Sequence, residues 1–143
     1  MTLLIAVFGL FHPQVLTVRP ASQTPVRVES PRRQELRDRL EIRTDAKLEG
    51  DFVPAFPGKI ERRFQGGLEI RKRGAELVAG LSVNLESAVA SVVAAEMPAS
   101  YPTEARKAQA IAARGWYHAS RGRHGDYDFC DTTHCQVFKE SAT

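Results

Sequence analysis

Cysteine is scarce in this sequence, tryptophan scarcer still, and no apolar run is long. With two cysteines and one tryptophan in 143 residues, the fold has no disulfide framework to lean on and must come from one hydrophobic core. The longest apolar run, Leu3 to Phe11, falls well short of the roughly 20 residues that cross a bilayer as a helix, so no transmembrane segment is expected. No Lys or Arg precedes it and no small-residue cleavage site follows; it reads as a buried strand and not as an export signal. Internal repeats and low-complexity tracts are also absent. Net charge is small, +3 from 20 Lys and Arg against 17 Asp and Glu, which suits an anionic polymer without choosing one. Arg27, Arg32, Arg33, Arg37, Arg39 and Arg43 interleave with Glu29, Glu35, Asp38 and Glu41, a solvated mixed face. No basic groove with aromatics between its charges and no helix-turn-helix pattern occurs, so nucleic acid is not an expected partner.

What is present is a change of periodicity. Up to about Leu81 short apolar segments alternate with turn residues: Leu3 to Phe8, Val15 to Val18, Val26 to Val28, Gly58 to Phe64, Leu68 to Arg71 and Glu76 to Val83. These are strand signals. Gly66-Gly67 and Lys72-Arg73-Gly74 suit hairpin turns, giving an antiparallel meander. The stretch from Arg32 to Arg43 suits either period and is assigned to strand, while Phe56 between Pro54 and Pro57 is assigned to a loop. From Asn84 the spacing becomes helical: Asn84 is an N-cap, and Leu85, Val89, Val92, Val93 and Glu96 recur every three or four residues until Pro98. A second helix opens near Pro102 and stops at Gly122, with Ala105, Ala108, Ala112 and Gly115 as a small-residue stripe for close packing. The expected fold is α+β: antiparallel strands over residues 1–83, then a core over 84–143 of two packed helices and an ordered loop that zinc would stabilise.

Two features carry chemistry. Glu96 falls on the apolar stripe of the first helix, where an ionised carboxylate must be paired, be protonated, or face a cleft. Paired with Arg106 or Arg114 it is a structural residue, the commoner case; facing a cleft with partly apolar surroundings it is a general acid. Glu86 and Glu104 lie in first helical turns, where offsetting the helix dipole explains them. The second feature is Cys130 and Cys135 with His124 upstream and His134 between them. Two thiolates and two imidazoles match a tetrahedral zinc site. A disulfide across the same small loop, or two buried reduced thiols, fits the spacing as well.

The order of three blocks resembles a known family. Val92-Val93-Ala94-Ala95-Glu96-Met97-Pro98, then Pro102-x-Glu104-Ala105-x-Lys107-Ala108-Gln109-Ala110-Ile111-Ala112-Ala113-Arg114, then Tyr127-Asp128-x-Cys130-Asp131-Thr132-Thr133-x-Cys135-Gln136-Val137-Phe138, are similar in sequence and spacing to the stage II sporulation protein D and amidase-enhancer (SpoIID/LytB) family. Upstream, Arg63-Phe64-x-Gly66 resembles it only loosely. The resemblance implies a peptidoglycan lytic transglycosylase of cell-wall remodelling and sporulation. Such enzymes cut between N-acetylmuramic acid and N-acetylglucosamine, especially in strands stripped of stem peptides by an amidase. It implies that Glu96 is the catalytic residue, reversing the preference for an ion pair. It further implies structural zinc on Cys130, Cys135, His124 and His134, saccharide contacts from Lys107, Gln109, Arg114 and Gln136, and an extracytoplasmic or cell-wall location. One carboxyl group suffices for that reaction, whereas a two-carboxylate hydrolase needs a partner at fixed separation; Asp126, Asp128 and Asp131 read as turn or supporting residues.

The chain departs from the family at Gly115-Trp116-Tyr117, where Thr or Ser followed by Tyr is usual, and it ends at Thr143, where the family continues. The expectation is a core truncated at its C-terminus, with an incomplete cleft wall. Two other functions compete: a non-catalytic module that binds glycan or stimulates a cell-wall amidase, and a zinc-stabilised nucleic-acid module, which would bind with steep salt dependence.

Overall fold

Apolar residues alternate along the first strand, β1 (Thr2–Val7), so that Leu3, Ile5 and Val7 all point into one core, as a strand's two-residue period requires. This computed structural model describes residues 1–30, 32–56, 60–122, 125–131, 135 and 138. A short 3-10 turn (Gly9–Phe11) follows β1, then β2 (Leu16–Pro20), β3 (Val26–Glu29), β4 (Arg33–Leu36), β5 (Leu40–Ile42), β6 (Ala46–Phe56), β7 (Ile60–Glu61), β8 (Phe64–Arg73) and β9 (Glu76–Asn84). Helices α1 (Leu85–Glu96) and α2 (Thr103–Ala119) come next, and β10 (Phe129–Cys130) returns to the sheet. The strands form one sheet in the order β10-β1-β9-β8-β6-β2-β5, with β3 and β7 also on β6 and β4 on β3. All pairings are antiparallel except β10 beside β1.

The α+β reading holds, with a larger sheet than the sequence suggested. Strand assignments between Arg32 and Arg43 hold as β4 and β5. Strand β6 is the principal correction, since Pro54 and Phe56 lie inside it and not in a loop. It pairs with β8, then β7, along one edge, and with β3, then β2, along the other. Gly50, at φ 138°, stands where the second edge passes from β3 to β2, a backbone position open to glycine. A proline inside a strand removes one donor, which this strand tolerates beside the short β2 and β7.

Gly66-Gly67 is the second correction. Both residues run within β8, opposite Gly50 and Glu49. A Cβ on Gly66 would lie 2.7 Å from the Ser82 carbonyl oxygen, and one on Gly67 would lie 2.8 Å from Glu49 Oε2. Close approach of the β9 backbone accounts for Gly66, while over Gly67 lies the end of the Glu49 side chain; neither is a turn. The turn between β8 and β9 is at Gly74-Ala75, with Arg73 facing Glu76.

The helices cover the sheet through Ala88, Val89, Val92 and Val93 of α1 and through Ala113 and Tyr117 of α2. The expected small-residue stripe does not pack: Ala108, Ala112 and Gly115 are exposed, because the aromatic and arginine side chains on the other face of α2 turn inward. Phe129 of β10 meets Tyr117 at 4.9 Å and Trp116 at 5.2 Å between ring centroids, and Phe138 stacks on Phe64 at 6.1 Å. The end of the chain thus closes over the core that β1 opens. No helix among the described residues is long and apolar enough to cross a membrane.

Candidate active site

Helix α1 starts where the sequence places it. Asn84 Oδ1 accepts the Ser87 backbone N–H at 2.8 Å, supplying one of the partners that the first helical turn lacks. The helix ends at Glu96, with the Met97 N–H still donating to the Val93 carbonyl at 2.8 Å. Glu96 is exposed, although its direction about the helix axis lies within roughly 60° of Leu85, Val89, Val92 and Val93. A helical wheel has no axial coordinate. The last turn carries the apolar stripe past the edge of the covered core, so the same direction that buries Val92 opens Glu96 to solvent.

Two polar ties join α1 to α2. Arg114 donates through Nε and Nη2 to the two carboxylate oxygens of Glu86, at 2.8 and 2.7 Å, and holds the Glu86 carboxyl below its ordinary value. Glu86 therefore does more than offset a dipole, and Arg114, one of the two arginines considered for Glu96, is engaged at the other end of the helix. At the near end, the Gln109 side-chain amide donates to Glu96 Oε2. Arg106 is half-buried and its Nε has no hydrogen-bond partner. Lys107 sits on an exposed part of α2 beside Glu104, Nζ to Oε1 3.2 Å. At about 100° per residue, Lys107 and Gln109 point roughly 160° apart. The structure thus joins Glu96 with Gln109, and sets Lys107 and Arg114 on a separate flank of α2. Gln136 lies outside the described residues.

The chemical content of this arrangement is a carboxyl group with one oxygen held by a neutral amide and the other open to solvent at the end of a rigid helix. Tyr101 stands close in the chain, in a turn closed by its own N–H on the Pro98 carbonyl at 3.0 Å, and its ring is 49% exposed. Tyr117 is the other residue the sequence reading passed over. Its hydroxyl is buried without a hydrogen-bond partner among the described residues; burial pushes the phenol up, and the nearby Cys135 and Glu96 add to that. Its place three residues after Arg114 and four after Ala113 was the available signal for an inward side chain. Cavities of about 510 and 290 Å³ open on the sheet away from Glu96, the first against β3, β4 and β6 and the second beside Tyr127 and Arg71.

The cysteine loop is fixed to the β1 edge of the sheet. Asp128 Oδ2 accepts the Leu4 N–H at 2.9 Å while the Asp128 N–H donates to the Leu4 carbonyl at 2.8 Å. Asp131 Oδ2 accepts the Phe8 N–H at 3.2 Å, at a residue whose φ of 61° is left-handed. Burial raises the Asp131 carboxyl and the Phe8 N–H opposes that rise. Both aspartates are thus supports for β1. Cys130 and Cys135 converge, with Sγ atoms 2.9 Å apart and the Cys130 N–H donating to Cys135 Sγ at 3.2 Å. That separation exceeds the roughly 2.05 Å of an S–S bond and is less than the about 3.8 Å of two thiolates on one tetrahedral zinc. The two soft donors fit zinc chemically after a small opening. His124 and His134 lie outside the described residues, and among those described no group of three or more potential ligands gathers.

A family model, SpoIID, described as stage II sporulation protein, matches residues 74–143. That range begins at the β8–β9 turn and takes in β9, both helices, β10 and the cysteine loop. No curated protein and no solved structure matches the chain. The helix pair bearing Glu96 and the loop bearing the cysteines fall inside one matched unit, and residues 74–143 are similar to the SpoIID, stage II sporulation protein, family.

Proposed function

We propose that the chain is a peptidoglycan lytic transglycosylase in which Glu96 is the acid and base. Similarity to the family implies a role in cell-wall remodelling, an extracytoplasmic context and an interaction with peptidoglycan, and some members are lytic transglycosylases. The observation that carries the finer reading is Glu96 itself: the glutamate of the E-M-P block, exposed at the end of α1 with one oxygen unencumbered. In the proposed reaction the Glu96 carboxyl gives its proton to the glycosidic oxygen as the bond to the anomeric carbon of N-acetylmuramic acid breaks. N-acetylglucosamine leaves with a new hydroxyl. The resulting carboxylate takes the proton from the muramic acid's own hydroxyl, which attacks the anomeric carbon and closes an anhydro ring. The proton is restored and no water is consumed, so one carboxyl group serves both steps.

Lys107, Gln109, Arg114 and Gln136 are the proposed saccharide contacts. Zinc, where bound, would be held by Cys130, Cys135, His124 and His134 and would fix the loop, with no part in proton transfer. A cell-wall amidase acting upstream fits a substrate of stripped glycan. Incubating the protein with denuded glycan strands and weighing the products tests the proposal. Anhydro-muramic products are expected from the parent, with a loss of at least about 100-fold in Glu96→Gln, the usual scale of general acid–base catalysis. A folded parent that yields no such product sinks the enzyme claim and leaves the amidase-enhancer reading.

A further inference from the structure

Glu96 occupies a place where little in its own helix holds it. As the last residue of α1, it lies at the negative end of the helix, where the backbone dipole disfavours a carboxylate. Being exposed, it has the rotamer freedom of a surface glutamate, and fixing such a side chain costs up to about 2 kcal/mol. A proton donor misplaced by about 1 Å can lose on the order of 100-fold in rate. Catalysis at this position therefore calls for an external hold. Two charged donors of α2 are engaged elsewhere, Arg114 binding Glu86 through both carboxylate oxygens and Lys107 binding Glu104, and among the described residues Arg106 makes no ion pair with Glu96. What reaches Glu96 is the Gln109 amide, donating to Oε2.

We propose that Gln109 is a positioning residue, whose amide fixes the Glu96 rotamer and decides which carboxyl oxygen carries the catalytic proton. This rests on Glu96 being the acid and base. The amide N–H is better accepted by a carbonyl oxygen than by a hydroxyl oxygen, so its bond to Oε2 favours the proton of the acid form on Oε1, the oxygen with no partner among the described residues. The same oxygen is then the one that receives the proton back in the second half of the reaction. A neutral amide can do this in both protonation states, because its hydrogen bond to Oε2 survives whether or not Oε1 is protonated. A guanidinium would bind the ionised carboxylate far more strongly than the acid and would oppose the first step. Gln109 keeps its second amide hydrogen and its carbonyl oxygen for the saccharide, so holding Glu96 and contacting substrate are compatible. Sequence spacing supports the assignment: α2 brings Gln109 to one flank of its inward face, while Arg106, Ala110, Ala113 and Tyr117 fill the middle of that face.

Two measurements test it. In the first, the side-chain amide protons of Gln109 are assigned in an NMR spectrum by their disappearance in Gln109→Met. In the parent one of them is expected downfield of an ordinary glutamine amide, and in Glu96→Ala it moves back. An amide signal that does not respond to Glu96→Ala overturns the proposal, whether or not the protein cleaves glycan. In the second, Gln109→Met, similar in length and lacking the donor, is expected to lower kcat about tenfold with the melting temperature held, beside any rise in KM from the lost saccharide contact, a tenfold loss being the scale of one hydrogen bond. A rise in KM at constant kcat would assign Gln109 to saccharide binding alone and overturn positioning. A parent that shows the amide signature and yields no anhydro product fails the transglycosylase reading, and that outcome is distinct from failure of the Gln109–Glu96 contact.

Discussion

Asp51 lies just beyond the point where β6 changes partners, and Arg63 reaches it with hydrogen bonds of 2.9 and 2.6 Å from Nε and Nη2. The pair is only part-exposed, 21% at Asp51 and 33% at Arg63, so solvent screens it less than the surface pairs elsewhere in the sheet. The Arg63 hydrogen bond holds the Asp51 carboxyl below its ordinary value of 3.8. A depressed folded value means that the unfolded chain binds the proton more readily. The stabilisation is therefore complete above the unfolded value and is lost as pH falls through the folded one. Asp51→Asn is expected to cost about 1 kcal/mol at neutral pH, with parent and variant converging as pH drops below 3.8; urea titrations across that range check it. A difference that persisted at the acid end would remove the ion pair as its cause. Asp131 has the opposite sign. Burial raises its carboxyl, so the folded state holds the proton more tightly, and its contribution weakens stability as pH rises through the window above 3.8.

At the scale of elements, helices were more legible than strands. Asn84, the three- and four-residue apolar spacing and Pro98 fixed α1 to within a residue, because capping chemistry and helical period are local properties. Strand β6 escaped notice because Gly50, Asp51 and Pro54 are local breakers, outweighed here by pairing along both edges that no local rule contains. Gly66-Gly67 was misread for a related reason: the signal for a turn and the signal for close strand approach are the same residue. The two uses separate by mutation. Gly66→Ala meets a φ of 131° and the Ser82 carbonyl oxygen at 2.7 Å, whereas Gly74→Ala meets a φ of 63° with nothing within 4 Å. The first is expected to cost about 3 kcal/mol and the second about 1 kcal/mol; equal costs in denaturant titration would mean that the close approach is not needed. At the candidate site, the sequence showed the carboxylate and its direction but not its exposure. Whether a helix end overhangs its core depends on where the sheet stops.

Across the whole molecule, the N-terminal strand and the core beneath it are tied to residues that follow α2. Asp128 and Asp131 bind the backbone of β1, β10 pairs in parallel with β1, and Phe138 stacks on Phe64. The cysteine loop is thus a latch on the sheet, and a structural ion in it would act on stability. Elemental analysis with thiol counting is expected to find one zinc per chain and two titratable thiols once the metal is chelated. Chelation should lower the melting temperature by several degrees, since metal bound only by the folded state adds to its stability. Zinc absent with the two sulfurs oxidised to each other would contradict this and make the latch covalent.

The proposed reaction uses a single carboxyl group and takes no water as a reactant. Cleavage of denuded glycan in heavy-oxygen water measures this directly, by the mass of the new muramic acid end. Anhydro ends with no heavy oxygen incorporated, formed by the parent and not by Glu96→Gln, are the predicted result; reducing ends carrying the label, or product that survives Glu96→Gln, would contradict it.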